Sequence, residues 1–137
     1  QSGRDGTRDA PVVLMTPQEL RDRTDRFSVA IIGFCRSLPS DSLTRRLVLQ
    51  LQDAGTSVAS NYHAACRAQS RAQFIAKLSI VVEEADECFG WLHKLDAAGI
   101  AGGEVLSTLQ QEASELLAIF ASSRRTALRR RSEPRIR

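Results

Sequence analysis

Residues 70–99, SRAQFIAKLSIVVEEADECFGWLHKLDAAG, decide the fold, because they carry the clearest helical pattern of the chain. Ser70-Arg71-Ala72-Gln73 is a capping box, in which two side chains satisfy free backbone amides of the first helical turn. Gly99 supplies a helix C-cap. The stretch therefore predicts one long helix with a stripe that faces a bundle core. The stripe consists of apolar residues at alternating spacings of four and three: Phe74, Leu78, Val81, Ala85, Cys88, Leu92 and Leu95.

Further apolar residues flank this stripe. They are Ile75, Ile80, Val82, Phe89 and Trp91. A helix that is apolar on more than one face is either central in its domain or shared with a second chain. We therefore predict self-association, with Ile75, Val82 and Phe89 covered by another copy.

Three more helices are expected around this one. Thr16-Pro17-Gln18-Glu19 opens the first helix with a capping box and a proline, and Pro39 ends it. Ser40-Asp41-Ser42 caps the second, and the fourth runs from about Glu104 into an arginine cluster. The stripes are Leu20, Thr24, Phe27, Ile31, Phe34 and Leu38 in the first helix; Leu47, Leu51, Ala54, Val58, Asn61 and Ala65 in the second; and Leu109, Ala113, Leu116, Phe120, Ser123 and Ala127 in the fourth.

Two local features qualify this pattern. Gly55 lies inside the second stripe, where glycine costs about 1 kcal/mol relative to alanine. Its position suggests either a close approach of two helices or a local bend. The apolar signal of the fourth helix fades as the arginines begin, so we expect its last turns to project from the bundle.

The length of 137 residues suits one domain, and positions 40–133 contain no proline. Four helices with short connections predict an all-α, antiparallel up-down four-helix bundle over residues 15–128. Residues 1–14 are expected to be a disordered leader or a tag remnant, and residues 129–137 a basic C-terminal tail.

The net charge of +3 is unevenly distributed along the chain. Residues 124–137 hold seven arginines against one glutamate, whereas residues 1–123 hold twelve basic and fifteen acidic residues. We predict that the arginines bind nucleic-acid phosphates without reading sequence, while the acidic body binds polyanions poorly. Alternatively, they only complement the dipole at a helix C-terminus. The cluster comprises Arg124, Arg125, Arg129, Arg130, Arg131, Arg135 and Arg137.

Composition excludes several classes of protein. Apolar residues make up 42% of the chain and charged residues 26%, as in soluble globular proteins. No stretch approaches the roughly 18–20 apolar residues of a membrane span, and no secretory signal is visible. Cys35, Cys66 and Cys88 form no C-x-x-C pair, which favours buried thiols in a reducing cytosol over a disulfide scaffold or a zinc site. We predict a cytoplasmic protein without membrane contact, metal or cofactor.

The sequence carries no strong enzyme signature. A di-iron bundle needs Glu-x-x-His on two helices, and neither His63 nor His93 has a glutamate three residues before it. Glu84-x-x-Glu87 and Glu112-x-x-Glu115 offer paired carboxylates for Mg²⁺, which leaves a Mg-dependent nucleotide hydrolase as a remote alternative. No phosphate-binding glycine loop and no nucleophile–base arrangement accompany them. We therefore predict a non-enzymatic protein.

Polar residues interrupt the apolar frame around the junction of the second and third helices. Asn61 falls on a core stripe, where a buried amide needs partners and can fix helix register. Arg67 and Lys77 could pair with carboxylates of the third helix. We predict a structural network within the bundle or across protomers, with ligand contact as the alternative. Its members are Asn61, Tyr62, Arg67, Lys77, Glu84 and Asp86.

At these residues the chain resembles a known family. The motifs are GTSVASNY at 55–62, ACRA at 65–68, FIAKL at 74–78, EEADE at 83–87 and WL at 91–92. They are similar to the bacterial four-helix-bundle proteins that include those encoded by intervening sequences of 23S ribosomal RNA genes, and the resemblance spans about residues 17–128. It implies a left-handed bundle that assembles as a homopentamer. It also implies kinship with the accessory protein of diversity-generating retroelements, a basic pentamer that binds a reverse transcriptase and nucleic acid.

Taken with the charge pattern, the resemblance indicates an oligomeric, non-enzymatic scaffold or adaptor. Its expected partners are further copies of itself and RNA or a nucleic-acid-processing protein. A structural interaction module that binds no nucleic acid is the alternative from another functional class.

Overall fold

The computed structural model describes residues 15–132, and within that range the chain forms four α-helices and no strand. Helix α1 spans Pro17–Arg36, α2 spans Ser42–Cys66, α3 spans Arg71–Ala97 and α4 spans Glu104–Ser132. The all-α prediction is confirmed. The expected leader at 1–14 and the end of the tail at 133–137 lie outside the described residues.

Side-chain caps begin the first three helices, as their sequences predict. The hydroxyls of Thr16 and Ser70 each accept the backbone N–H three residues later, at 3.1 Å in both cases. The Asp41 carboxylate accepts the N–H of Thr44 at 3.0 Å, and this bond holds the pKa of Asp41 below its ordinary value. Gly99 directly follows the C-cap of α3 with a φ of +70°, a conformation that a side chain would strain.

The core lies between the four helices, and α3 packs extensively against both α2 and α4, whereas α1 and α4 make the fewest contacts of any neighbouring pair. Most positions of the predicted stripes are buried. Leu38, Leu47 and Phe74 are half-buried and pack against the core. The confirmed stripe positions are Leu20, Thr24, Phe27, Ile31, Phe34, Leu51, Ala54, Val58, Ala65, Leu78, Val81, Ala85, Cys88, Leu92, Leu95, Leu109, Ala113, Leu116, Phe120 and Ala127.

The buried stripe of α2 includes Tyr62 in place of the predicted Asn61. Tyr62 is buried, and its ring lies 5.2 Å from that of Phe120, centroid to centroid. Its neighbour Asn61 is only half-buried, at the edge of the stripe. Both residues lie on the core-facing half of α2, so spacing alone does not separate them. The larger aromatic side chain fills the space between α2 and α4.

Gly55 marks a close approach of α1 and α2, which decides between the two alternatives that the sequence leaves open. Helix α2 continues through Gly55, and the Ser28 hydroxyl donates a 2.8 Å hydrogen bond to the Gly55 carbonyl oxygen. A Cβ atom at Gly55 would lie 2.8 Å from Cγ2 of Ile31. Glycine is therefore required for the contact between the two helices at this level.

The predicted need for a second chain along α3 is wrong at Ile75. This residue is 6% exposed within one chain, and Val82, Phe89 and Trp91 are half-buried against the core. The physical reason is that α2 and α4 cover both flanks of the α3 stripe. The large apolar side chains that remain exposed in the described part of the chain are Val29, Ile32, Leu43, Leu49, Ile80 and Val105.

The fourth helix also stays in the bundle longer than expected. Ala127 is buried, and Nε of Arg124 donates to Oγ of Ser79 on α3 at 2.8 Å. The expectation that the last turns of α4 project from the bundle is therefore wrong as far as Ala127. None of the four helices combines the length and the apolar character that crossing a bilayer requires, within residues 15–132.

Candidate nucleic-acid interface

The first arginine of the α4 cluster, Arg124, is held against α3 by a hydrogen bond to Ser79. The Arg124 side chain is half-buried, and its partner Ser79 donates in turn to the carbonyl oxygen of Ile75 at 2.8 Å. Arg125, Arg129 and Arg130 follow on the same helix with exposed side chains. The helix therefore presents these cations at defined positions. Arg131 lies on α4, but its side chain is outside the described part, as are Arg135 and Arg137.

The spacing of these arginines has an electrostatic consequence. Arg125 and Arg129 are four residues apart on one helix face, and like charges at that spacing destabilise a helix by a few tenths of a kcal/mol. The helix dipole offsets part of that cost, because cations near a C-terminus are favourable. A bound polyanion would offset the rest, since it neutralises the repulsion directly.

The six residues of the predicted polar network are placed separately. Asn61 donates its amide to the carbonyl oxygen of Ser57, four residues earlier on its own helix, at 2.9 Å. Arg67, Lys77 and Asp86 are exposed, Glu84 is half-buried, and Tyr62 packs in the core. Among the described side chains, neither Arg67 nor Lys77 pairs with Glu84 or Asp86. Pairing across protomers stays a prediction.

Glu84 is the carboxylate of this group with a perturbed environment. Partial burial raises its pKa above the ordinary value of 4.5, and the negative charges of Glu87, Glu83 and Asp53 raise it further. A raised carboxyl pKa means that ionised Glu84 destabilises the folded chain at neutral pH, and that protonation removes the penalty as pH falls through the folded pKa.

We expect Glu84→Gln to raise the free energy of unfolding at about pH 7, by less than about 1 kcal/mol because the carboxylate stays partly solvated. The difference should disappear at about pH 3, where both side chains are neutral. Denaturant unfolding at the two pH values measures it. Asp86→Asn, an exposed change of equal charge on the same helix, should stay within about 0.5 kcal/mol at both. A loss of stability for Glu84→Gln at about pH 7 would instead point to a favourable partner, such as a cation of another protomer.

The structure contains an ion cluster between α1 and α4 that the sequence does not predict. Arg23 donates from Nε to Glu112 at 3.0 Å and from a terminal nitrogen to Glu115 at 2.8 Å, with a further bond to Glu112. The hydrogen bond to Glu112 raises the pKa of Arg23. The partners are about ninety positions apart, so no local spacing signals them. Arg23 thus occupies the Glu112–Glu115 pair that the sequence offers to Mg²⁺, and a guanidinium there repels a cation.

The two histidines take part in ordinary surface contacts. Nε2 of His63 lies 3.0 Å from the carboxylate of Asp25, and both side chains are substantially solvated. The His93 ring meets Phe89 edge-on, with centroids 4.4 Å apart. Within the part of the chain that the structure describes, no three His, Cys, Asp or Glu side chains gather as a metal site.

The fold and this site place the chain among small all-α bundle proteins with a cationic helix end. The model of the 23S rRNA-intervening sequence protein family matches residues 18–122, so the chain belongs to that family. The family prediction is confirmed. The match ends just before the first arginine of the α4 cluster.

A solved structure supports the same assignment. The chain is similar to a crystal structure of a protein with unknown function from the S23 ribosomal protein family of Bacteroides thetaiotaomicron, with a TM-score of 0.72 and 27% identity. The similarity covers 81% of this chain and 99% of that one. No curated protein matches the chain.

Proposed function

We propose that this protein is an oligomeric, non-enzymatic scaffold or adaptor of the cytoplasm that binds RNA, or a protein–RNA complex, through the arginines of α4. The observation that carries the proposal is the row of exposed cations at Arg125, Arg129 and Arg130, on a helix that Arg124 fixes to α3. Cations on a folded helix lose little freedom when they bind, which favours contact with a polyanion.

The binding we propose is independent of base sequence. Base recognition on single strands uses exposed aromatic platforms, whereas Tyr62 and Phe120 are buried and Phe74 is half-buried against the core. Contacts to phosphates position a nucleic acid without carrying sequence information. The affinity should therefore depend steeply on salt and weakly on sequence.

The assembly we propose is a left-handed, antiparallel up-down bundle that forms a homopentamer. Two contacts support an antiparallel arrangement of α1 and α2: Asp25, in the middle of α1, meets His63 near the end of α2, and Cys35, near the end of α1, meets Val48 in the first half of α2. The exposed Val29, Ile32, Leu43 and Leu49 supply apolar surface for association. Five α4 ends in one particle would add avidity to weak single contacts. Light scattering should give about five times the chain mass of 15.1 kDa, and a monomer at micromolar concentration would contradict the assembly.

The test of RNA binding replaces charges without shortening α4, because a chain ending at Ser123 would lose buried Ala127 and the Arg124–Ser79 bond. The tail variant carries Arg125→Gln, Arg129→Gln and Arg130→Gln. The control variant carries Arg36→Gln, Arg45→Gln and Arg46→Gln, which removes three exposed charges from the first two helices.

We expect the tail variant to bind RNA more weakly than the wild type. Each lost phosphate contact reduces the slope of log K against log salt by about 0.7 to 0.9, so three lost contacts flatten it by roughly 2 to 3. The control variant should keep the wild-type affinity and slope. Fluorescence anisotropy of a labelled RNA at several salt concentrations measures both. If the wild type binds no RNA, the proposal is overturned and the interaction module without nucleic acid is favoured.

A further inference from the structure

Acidic and basic residues lie in different segments of the chain, which the net charge of residues 1–123 does not reveal. Residues 54–82 and 116–132 together contain eight arginines and lysines and no aspartate or glutamate. Residues 27–53 and 83–115 contain ten aspartates and glutamates against four basic residues. Residues 17–26 of α1 are balanced, with three of each sign.

The contacts of the fold bring the two acid-free segments to one end of the bundle. Residues 67–70 connect α2 directly to α3, so the end of α2 and the start of α3 lie side by side. The Arg124–Ser79 hydrogen bond places the end of α4 beside the start of α3. At the opposite end, Gln110 of α4 donates to Asp96 of α3 at 3.3 Å. The balanced residues 17–26 of α1 meet the acid-free part of α2 through Asp25 and His63. We call the two acid-free segments, without α1, the basic end. Its described cations are Arg67, Arg71, Lys77, Arg124, Arg125, Arg129 and Arg130.

Three of these cations belong to the α2–α3 corner and are exposed: Arg67 follows α2, Arg71 is the first residue of α3, and Lys77 lies less than two turns further. Among the described side chains, none of the three meets a carboxylate, in contrast to Arg23 and His63. Within residues 15–132, no carboxylate therefore competes with a phosphate for these three cations. All three fall inside the segment that the family model matches.

The dimensions suit a nucleic-acid backbone. Residues 71–77 extend about 9 Å along α3 and residues 124–130 about 9 Å along α4, at 1.5 Å per residue. Each strand of double-stranded DNA carries one phosphate per about 3.4 Å of axis, so a backbone of similar charge density that crosses this end presents several phosphates to these cations. Helices that pack together hold the cations at fixed separations, which an unstructured tail does not.

We propose that the basic end as a whole binds the phosphate backbone of RNA, with Arg67, Arg71 and Lys77 contacting phosphates beside the arginines of α4. This inference rests on the proposed function and extends its site onto the bundle itself. By this inference, residues 1–123 are not acidic throughout. The acidic residues concentrate in residues 27–53 and 83–115, and the basic end binds RNA.

The chain provides its own control for a footprinting test, because it contains only two lysines. Lys77 lies at the basic end, whereas Lys94 lies near the end of α3, with its Nζ 4.6 Å from the centroid of the Trp91 ring. Acetylation of the intact wild-type protein, followed by mass spectrometry, reads both sites in one sample. We expect an RNA duplex to slow acetylation at Lys77 several-fold and to leave Lys94 unchanged. Equal rates at Lys77 with and without bound RNA would overturn the inference.

A variant of the full chain tests the same surface by affinity. The corner variant carries Arg67→Gln, Arg71→Gln and Lys77→Gln, and it is compared with the tail variant and the control variant. Since three phosphate contacts are removed, we expect a loss of affinity of tenfold or more at low salt and a slope flatter by roughly 2 to 3 for an RNA duplex. Circular dichroism and light scattering should show an unchanged fold and particle mass.

The possible results separate the two proposals. If the corner variant binds like the wild type while the tail variant is weakened, the inference fails and the proposed function stands. If the wild type binds neither an RNA duplex nor single-stranded oligo(A), both fail. If the corner variant changes the particle mass and not the RNA affinity, the basic end binds the acidic half of a neighbouring copy, and the inference is overturned.

Discussion

Replacing Phe120 with alanine should lower the free energy of unfolding by about 3–5 kcal/mol, the usual range for removing a buried phenyl ring. Phe120 has no exposed surface, and its ring leans on Tyr62 at an interplanar angle of 47°. The loss combines the transfer of the ring to water, the cavity that remains and the lost aromatic contact. Tyr62 belongs to α2, and α4 also packs on α3. Removing the Phe120 ring therefore weakens the contacts of α4 with both α2 and α3.

Urea unfolding followed by circular dichroism, at one fixed protein concentration, measures this loss. Val105→Ala is the matched control, since it truncates an apolar side chain on the same helix that is 64% exposed. We expect the control to stay within about 0.5 kcal/mol of the wild type. A loss below about 1 kcal/mol for Phe120→Ala would mean that this ring does not anchor α4.

Gly55→Ala should destabilise the fold even though alanine is the better helix former. The new Cβ atom would meet Cγ2, Cγ1 and Cβ of Ile31 at 2.8, 3.0 and 3.1 Å. Ile31 is branched at Cβ and fully buried, so it has little freedom to move aside. Overpacking of this kind costs about 1–3 kcal/mol, which exceeds the gain of about 1 kcal/mol in helix propensity.

Gly33 is the internal comparison for this change. It lies within α1, and a Cβ atom built there meets nothing within 4 Å. Gly33→Ala should therefore stabilise the chain by about 0.5–1 kcal/mol. The two substitutions are chemically identical and should shift the thermal midpoint in opposite directions. A rise of the midpoint for both substitutions would show that helix propensity, and not the α1–α2 contact, governs Gly55.

The core could be predicted from the sequence because helical spacing alone assigns the inward face. Leu78, Val81 and Leu92 are buried where their spacing places them. The sequence pattern could not predict that Tyr62, and not Asn61, is the buried residue of this turn. Both positions lie on the core-facing half of α2, and which of them is buried depends on how the other helices pack there. The burial of Ile75 within one chain could not be predicted either, because it depends on which helices pack on either side of α3. The α3 sequence alone does not contain that information.

The candidate site shows the same division. The α4 arginines stand out in the sequence as a run of one residue type. The α2–α3 corner does not, because Arg67, Arg71 and Lys77 are dispersed in the sequence, and only the contact of Arg124 with Ser79 shows that they lie at the same end of the bundle as the α4 arginines. Similarly, the attachment of Arg23 to Glu112 requires that the two ends of the chain meet. Long-range pairings of this kind follow from topology and not from local pattern.

Two of the three thiols, Cys35 and Cys88, are buried, which limits their exposure to an oxidant. Burial raises the pKa of Cys35 to about 11 and that of Cys88 to about 12, so both are almost wholly protonated and poorly nucleophilic in the folded chain. Cys35 belongs to α1, which packs extensively on α2 and only sparsely on α4, where Arg23 pairs with Glu112 and Glu115. Because Cys35 is buried, we expect an oxidant to reach its sulfur atom through local opening of α1. The rate of Cys35 oxidation should then follow the frequency of that opening, and the Arg23–Glu112 and Arg23–Glu115 ion pairs, which hold α1 on α4, should slow it.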